Sequence, residues 1–552
     1  MRQPAWIQSL QASRASSIAA IGLLVAVAGY CLAFERSLYA AGWSLLILAL
    51  LVLVLGRLLT SSLALAAIVL SVVTVSIVKN HILQIALHSS DILMISNWDM
   101  QKYLWSDQRH YMVALYASAA LIIAMLAAVY MRDTSYIPRI TGFAILAIGS
   151  LFFFTAASAH SEHPEFNFTS VNRHLTNFYA SLRETTGIAQ NRSYFGISNN
   201  VKAAGINQER CNRTEDTPNI IMIHEESLFP PSLYSEIEYD RSIDPFFKSV
   251  DGDLHLLRVE TFGSGSWLTE FSVFSGLSTE AFGGVRSMAP AIMTGKLGDS
   301  LTQWLKSCGY TNIELSPFPE GFAFSGRFLR SIGFDRIIDR KAQKASTFNE
   351  RDAFYFNNAI AEMKKHFADS SQPLFTYIMT MATHYPYDYT YAPEENVAGG
   401  TAKSAPYIDE YLRRVGLAVR DYRAFVSTLK ASFPSKKFLI LHYGDHQPIV
   451  TGNLAASSST SSDPRSSIGY LTYFAFDTIN YTAPPLPKQK IVDIPYLGSI
   501  ALMMAKLPLN EATASRLSLL EECDGRYSFC PKKKLIADFQ ERLFETGALK
   551  VH

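Results

Sequence analysis

The hydrophobic pattern changes character about 160 residues into the chain. The N-terminal part carries long apolar runs separated by short polar stretches. Five of them approach the ~20 apolar residues that a helix needs to cross a bilayer core. They lie near Ser17–Phe34, Ala40–Leu58, Ser62–Val78, Tyr111–Tyr130 and Ile140–Ala157. Five such runs in succession predict a transmembrane domain over residues 1–158 rather than a set of buried core helices. The first is not read as a cleaved signal peptide, because further spans follow it directly.

From Asn219 onward, short apolar runs alternate with helical patterns, as in a mostly parallel α/β sheet. Strands are expected at Ile220–Ile223, Leu254–Val259, Thr311–Leu315, Leu374–Met379, Lys437–Leu441 and Tyr470–Ala475. Helices are expected at Ser266–Phe274, Ser300–Cys308, Phe354–Phe367 and Pro406–Ser432. This assigns residues 218–552 to a globular domain and 159–217 to a linker. Within the linker, Asn167–Leu182 can form an amphipathic helix with Phe168, Val171, Leu175, Phe178 and Leu182 on one face. Such a helix either lies on the membrane surface as an elbow or packs on the domain itself. The run Ser457–Ser467 reads as a flexible surface loop.

Charge adds orientation. The net charge is +1 with no basic tract, which argues against a nucleic-acid partner. Arg2 and Arg14 precede the first span, Arg57 sits between the second and third, and Arg132 and Arg139 lie between the fourth and fifth. The positive-inside rule makes these segments cytoplasmic. The loop Lys79–His110 offsets its Lys79, Lys102 and Arg109 with Asp91, Asp99 and Asp107. Five spans with an internal N-terminus place the C-terminal domain outside. Cysteine placement agrees: Cys31 lies in a span, and Cys211, Cys308, Cys523 and Cys530 lie in the external part. Cys523 and Cys530 flank a short polar turn and are expected to close a small disulfide loop. A Cys211–Cys308 pairing has no such local support, since four cysteines allow three connectivities.

Three segments carry the chemistry: NIIMIHEES (Asn219–Ser227), FGSGSWLTEF (Phe262–Phe271) and FLILHYGDHQP (Phe438–Pro448). Each follows an apolar run that predicts a buried strand, so its polar residues fall at a strand's carboxyl end, where open α/β sheets build their sites. Glu226, with Glu225 as competitor, offers a hard carboxylate ligand. Ser266, with Ser264 as fallback, opens a helical pattern where free backbone N–H groups suit a phosphate. Asp445 and His446 are adjacent at a strand end and can face one ion, whereas His442 is expected to pack inward. A carboxylate, a hydroxyl, an aspartate and a histidine make an O/O/O/N set suited to one divalent metal, and a metal-activated hydroxyl is a nucleophile. His384, after another strand, can hold a phosphate oxygen or protonate a leaving group.

In the order EES, Gly-rich turn with Ser, THYPY and YGDH, the chain resembles the membrane-anchored sulfatase-like transferases of the alkaline phosphatase superfamily. It is most similar to the lipoteichoic acid synthase and phosphoglycerol transferase branch; phosphoethanolamine transferases share the plan. The resemblance implies five transmembrane helices followed by an extracytoplasmic α/β/α sandwich of alkaline phosphatase type. It implies that Glu226, Ser266, Asp445 and His446 bind one Mn²⁺ or Zn²⁺ and that Ser266 is the nucleophile, with Thr269-Glu270-Phe271 close to the family's Ser-Glu-Phe. His384 matches a substrate-binding histidine, and Phe328–Asp339 resembles the family's Gly-Tyr-Asp region. The implied activity is transfer of a phospholipid head group, phosphoglycerol first, through a phospho-Ser intermediate onto an envelope glycan or lipid-linked acceptor. The implied place is a bacterial cytoplasmic (inner) membrane with the domain outside. Phosphoethanolamine transfer, or hydrolysis by a phosphodiesterase or sulfatase-like enzyme, is the alternative. Two departures stand out. Ala323 and Ser325 occupy positions where lipoteichoic acid synthases carry a Trp and an Arg that contact glycerol phosphate, with Arg327 nearby as a substitute. Gln447-Pro448 follow His446 where the phosphoethanolamine branch has Gly-Glu. The segment SWLTEF also lacks the Pro/Ala and Arg of a formylglycine sulfatase.

Overall fold

The computed structural model describes residues 5–96, 98–160, 173–189, 211–214, 216–347, 349–458 and 466–550. The chain divides into two compact units, one built from residues 1–192 and the other from residues 193–552 apart from 283–285.

Among the described residues of the first unit, four helices are long and apolar enough to cross a membrane: Arg14–Phe34, Leu38–Leu55, Leu58–Leu83 and Arg109–Arg132. The fifth expected span is the helix Ile140–His160, whose apolar part, Ile140–Thr155, is shorter than these four. It lies close against Leu38–Leu55. A Cβ on Gly42 would come within 2.9 Å of the Phe153 backbone nitrogen, and one on Gly149 within 3.0 Å of Leu45 Cβ. Small residues at such a crossing let two backbones approach where no water drives association. The linker helix runs over His174–Ala189 and packs within this unit, with Leu175 and Tyr179 buried among Val27, Tyr39, Leu48 and Leu65. Phe168 and Val171, expected on its apolar face, lie outside the described residues. The Glu35 carboxylate fixes the start of this helix. It accepts from the Leu175 and Thr176 backbone N–H groups at 2.6 and 2.7 Å and from the Thr176 hydroxyl at 2.5 Å. First-turn N–H groups have no partner inside a helix, so a buried carboxylate there satisfies them and meets the positive end of the dipole.

The second unit is built on an eight-stranded sheet in the order β10-β3-β9-β8-β1-β6-β4-β5. Its strands are β1 (Asn219–Glu225), β3 (His255–Arg258), β4 (Thr311–Leu315), β5 (Arg336–Ile338), β6 (Leu374–Met379), β8 (Phe438–Gly444), β9 (Leu471–Ile479) and β10 (Ile491–Asp493); a short pair, β2 (Glu238–Tyr239) and β7 (Gly400–Thr401), lies apart. All six expected strands are present. All neighbours pair parallel except β9, which runs antiparallel to β8 and β3. The central strands β1, β6 and β8 are buried at every position, which explains their uninterrupted apolar runs.

Helices cover both faces. Asp352–Asp369 and Ile408–Ser432 place Tyr355, Phe356, Val415 and Phe425 against Ile221, Ile223 and Ile440. On the opposite face, Phe274 of the helix Ser266–Ser275 meets Tyr377 of β6 at 4.9 Å and Phe334 at 5.2 Å between ring centroids. Both external disulfides form, Cys523–Cys530 and Cys211–Cys308. The hydroxyl-rich run Ser457–Ser467 falls largely outside the described residues.

Candidate metal centre at the ends of β1 and β8

Strand geometry places the ligands. β1 and β8 pair parallel and end together, with Glu225 opposite Gly444. Successive strand residues face opposite sides. His224 and Glu226 therefore share the face covered by the helix Ser266–Ser275, and Glu225 turns to the other. There Glu225 accepts from the Thr380 hydroxyl at 2.9 Å, and its pKa is pushed well above the carboxylate range by burial and then by Asp352. Glu226, not Glu225, faces Ser266 and His446.

Ser266 reaches Glu226 because the preceding turn is built from left-handed glycines. Gly263 (φ +74°) and Gly265 (φ +93°) let the chain double back, and a Cβ on Gly265 would stand 2.8 Å from Thr261 Oγ1. A side chain at Gly265 would carry both the strain of that φ and this clash. The helix then starts at Ser266, whose hydroxyl donates to Glu226 Oε2 at 2.9 Å and lies 3.5 Å from His446 Nε2. On the same helix, the Thr269 hydroxyl donates to the Asp445 carbonyl at 2.8 Å, tying the helix to the end of β8.

Asp445 has two different oxygens. Oδ1 accepts from the backbone N–H groups of Ser227 and His446, both at 2.7 Å. Oδ2 is buried and has no hydrogen-bond partner. It faces His446 Nε2 at 3.3 Å and His224 Nε2 at 3.1 Å. His446 Nδ1 must be the protonated nitrogen, since it lies 3.0 Å from the Gln447 carbonyl, which only accepts; the Nε2 lone pair therefore points inward. His446 Nε2 is also 3.5 Å from Glu226 Oε1. Burial pushes the Asp445 carboxyl up, but the pull of His446 and His224 in their protonated forms outweighs it and takes it down to about 2. For His224, burial disfavours the charged ring, yet the Asp445 carboxylate raises its pKa above the ordinary value.

The donor set fits a divalent cation. Two carboxylates, a hydroxyl and an imidazole lone pair converge in a buried place, and Asp445 Oδ2 has no proton donor of its own. The expected residues Glu226, Ser266, Asp445 and His446 thus meet in space. The carboxylates of Glu226 and Asp445 also lie with His224 in a group whose ligand atoms are all within 4.8 Å of one another. Sequence reasoning missed His224, although its spacing of two from Glu226 at a strand end carried the signal. His442 is fully buried as expected, on the opposite face, where burial lowers its pKa to about 4.

His384 follows Thr383, whose hydroxyl bonds the Glu226 carbonyl, so its loop borders the site. Arg414, fully buried, holds that loop by donating to the carbonyls of His384 and Pro386, both at 2.8 Å, and of Tyr389 at 3.2 Å, while Glu410 pairs with its Nε at 2.7 Å. Arg327 is exposed on the helix Ser325–Ser331, which the Ser325 hydroxyl ties to Glu270 at 3.0 Å. Gln447 has a structural use: its Nε2 donates to the Ile468 and Leu471 carbonyls at 2.9 and 2.7 Å, and its Oε1 accepts from the Tyr234 hydroxyl at 2.7 Å.

This arrangement defines a class. Residues 218–475, just under half of the chain, match the sulfatase family model, and this part of the chain is a sulfatase-family domain. An uncharacterized protein of Haemophilus influenzae is 23% identical over 365 residues, 63% of this chain and 64% of that protein. The lipoteichoic acid synthase of Staphylococcus saprophyticus is 22% identical over 383 residues, 65% of this chain and 58% of the synthase. The chain thus spans under two thirds of the length of these two relatives. The integral membrane lipooligosaccharide phosphoethanolamine transferase A of Neisseria meningitidis superposes with a TM-score of 0.50, at 10% identity over 94% of this chain and 98% of that one. At that identity the likeness is one of fold.

Proposed function

We propose that this chain is a metal-dependent transferase that moves a phospholipid head group, phosphoglycerol by preference, onto an envelope glycan or lipid-linked acceptor. The observation that carries the reading is the Ser266 hydroxyl, 2.9 Å from Glu226 Oε2 at a helix start beside a buried, unpartnered Asp445 oxygen. Glu226, Ser266, Asp445 and His446 would hold one Mn²⁺ or Zn²⁺. When bound, the ion supplies acidification of a coordinated hydroxyl and neutralisation of phosphate charge. Ser266 Oγ forms a bond to the head-group phosphorus as the P–O bond to diacylglycerol breaks. Glu226 Oε2 is the nearest acceptor for the serine proton. The diacylglycerol oxygen takes up a proton as it leaves, and His384 is the proposed donor. An acceptor hydroxyl then attacks phospho-Ser266 and gives its proton to His384, while the departing Ser266 oxygen recovers its proton from Glu226. Arg327, exposed nearby in sequence to the Ala323 and Ser325 departures, is proposed to meet the head group.

Four membrane-length apolar helices support a lipid donor, and two disulfides in the second unit support an oxidising compartment outside the cytoplasmic membrane. Phosphoethanolamine transfer is the second reading, favoured by the whole-chain likeness of fold to an enzyme of that kind. Intact-mass analysis of the full-length protein, incubated with phosphatidylglycerol or phosphatidylethanolamine plus Mn²⁺ or Zn²⁺, tests both. A phosphoglycerol adduct absent from Ser266→Ala is the expected result. A phosphoethanolamine adduct would move the assignment to the second reading, and turnover retained by Ser266→Ala would refute the mechanism.

A further inference from the structure

We infer that His224 is a fifth protein donor to the cation held by Glu226, Ser266, Asp445 and His446, and that this second imidazole tunes the site toward zinc over manganese. The inference rests on the metal-centre reading above.

Three observations lead to it. His224 Nε2 and Asp445 Oδ2 face each other at 3.1 Å, both fully buried, and neither has a hydrogen-bond partner. The part-buried pair His255 and Asp251, at 2.9 Å, does make such a bond. Two buried donor atoms this close, neither with a hydrogen-bond partner, are spaced as two ligands of one ion.

The spacings agree. Zinc bonds to nitrogen and oxygen are about 2.0–2.2 Å, so neighbouring ligands of a five-coordinate ion sit about 3.0–3.6 Å apart. The pairs at this site are 3.1 Å (His224 to Asp445), 3.3 Å (His446 to Asp445), 3.5 Å (His446 to Glu226), 3.5 Å (His446 to Ser266) and 2.9 Å (Ser266 to Glu226). The far side of the His224 ring is held as well. Nδ1 lies 3.0 Å from the Tyr443 hydroxyl and 2.8 Å from that of Tyr377. A hydroxyl can accept from Nδ1–H, which leaves the Nε2 lone pair for the ion and fixes the ring as outer partners of ligand histidines do. Two imidazoles with three oxygens suit zinc, whereas an oxygen-rich set suits manganese.

X-ray absorption on the zinc-loaded full-length protein counts the imidazoles directly. Two are expected in the wild type and one in each of His224→Gln and His446→Gln. Competition titrations should show His224→Gln losing at least tenfold in zinc affinity, the scale even of outer-shell changes, and less for manganese. The amide introduced by His224→Gln can still donate to Asp445, so a purely hydrogen-bonding His224 would be replaced without changing the count. One imidazole in the wild type, unaltered by His224→Gln, would overturn this inference and leave the metal centre standing. No bound metal in the wild type would overturn both. Should His224→Gln fail to fold, His446→Gln decides alone: two to one supports the inference and one to none refutes it.

Discussion

Gly444→Ala tests whether the spacing of two strand ends sets the metal centre. Gly444 closes β8 immediately before Asp445 and is not left-handed, so only space is at stake. An added Cβ would stand 1.7 Å from the Leu228 carbonyl oxygen, 2.8 Å from its carbon and 3.2 Å from Thr472 Cβ on the other side. A carbon ordinarily approaches a carbonyl oxygen to about 3.3 Å, so the β1 turn and the end of β8 must part by about 1.6 Å. Leu228 is fully buried and cannot swing away. Two hydrogen bonds span the gap: Ser227 N–H to Asp445 Oδ1 at 2.7 Å and Asp445 N–H to the Glu225 carbonyl at 3.3 Å. Overpacking costs about 1–3 kcal/mol. Losing a bond to a charged acceptor adds about 1.5–3 kcal/mol. A total of about 2.5–6 kcal/mol lowers Tm by on the order of 10 °C. The displacement also exceeds the roughly 0.5 Å within which a site must be held, so metal affinity should fall at least tenfold. Thermal melts and metal titration calorimetry on the full-length protein read both effects. Gly452→Ala is the control, because nothing lies within 4 Å of its added Cβ. If Gly444→Ala melts and binds metal like that control, strand-end spacing does not position Asp445.

Two further outcomes follow from buried groups beside the site. Arg414→Met should raise KM for the lipid donor while leaving zinc affinity unchanged, because Arg414 holds the His384 loop and touches no proposed ligand; an equal loss of metal binding in titrations would refute that division. Asp352→Asn should flatten the pH dependence of stability. Burial first, and Asp421 next, raise the Asp352 pKa from 3.8 to about 7, so the folded state holds a proton that the unfolded state has lost. Its contribution is therefore full below about pH 4 and disappears as pH rises toward 7, on the order of 1–3 kcal/mol in all. Denaturant midpoints measured from pH 4 to 8 should fall less steeply in Asp352→Asn, and an unchanged slope would refute the assignment.

Much of this architecture was legible because burial writes itself into composition. β1, β6 and β8 are buried on both faces, so their apolar runs are continuous and end where polarity returns. The strands of the main sheet that escaped, β5 and β10, are three residues each at its two edges, too short to carry a period. The direction of β9 was illegible for another reason: orientation is set by pairing partners, and LTYFAFDTI reads alike in either sense. Cys523–Cys530 could be read from a flanked turn, whereas Cys211–Cys308 closes a separation of 97 residues and depends on tertiary approach. The choice of Ser266 over Ser264 followed from helix position. The docking of His174–Ala189 on Glu35 did not, since a carboxylate about 140 residues away supplies the cap.

The tightest link between sequence and chemistry is the tetrapeptide His224-Glu225-Glu226-Ser227. Strand alternation sends its two glutamates to opposite fates. Glu226 faces Ser266 and His446, where a cation would balance its charge. Glu225 enters the helix-covered side, where it accepts from the Thr380 hydroxyl and where Asp352 and Asp421 disfavour a second charge. A one-residue slip of β1 against β8 would exchange them. It would put Glu225 beside Ser266 and turn both His224 and Glu226 away. The register is held against that slip by seven consecutive pairings from Asn219–Phe438 to Glu225–Gly444, and by Ser227, whose left-handed backbone (φ +53°) turns its N–H onto Asp445 Oδ1. The same register puts His224 on the metal-facing side. A strand that presents Glu226 to a cation at its carboxyl end therefore presents residue 224 as well, and a histidine there adds a ligand without any change of backbone.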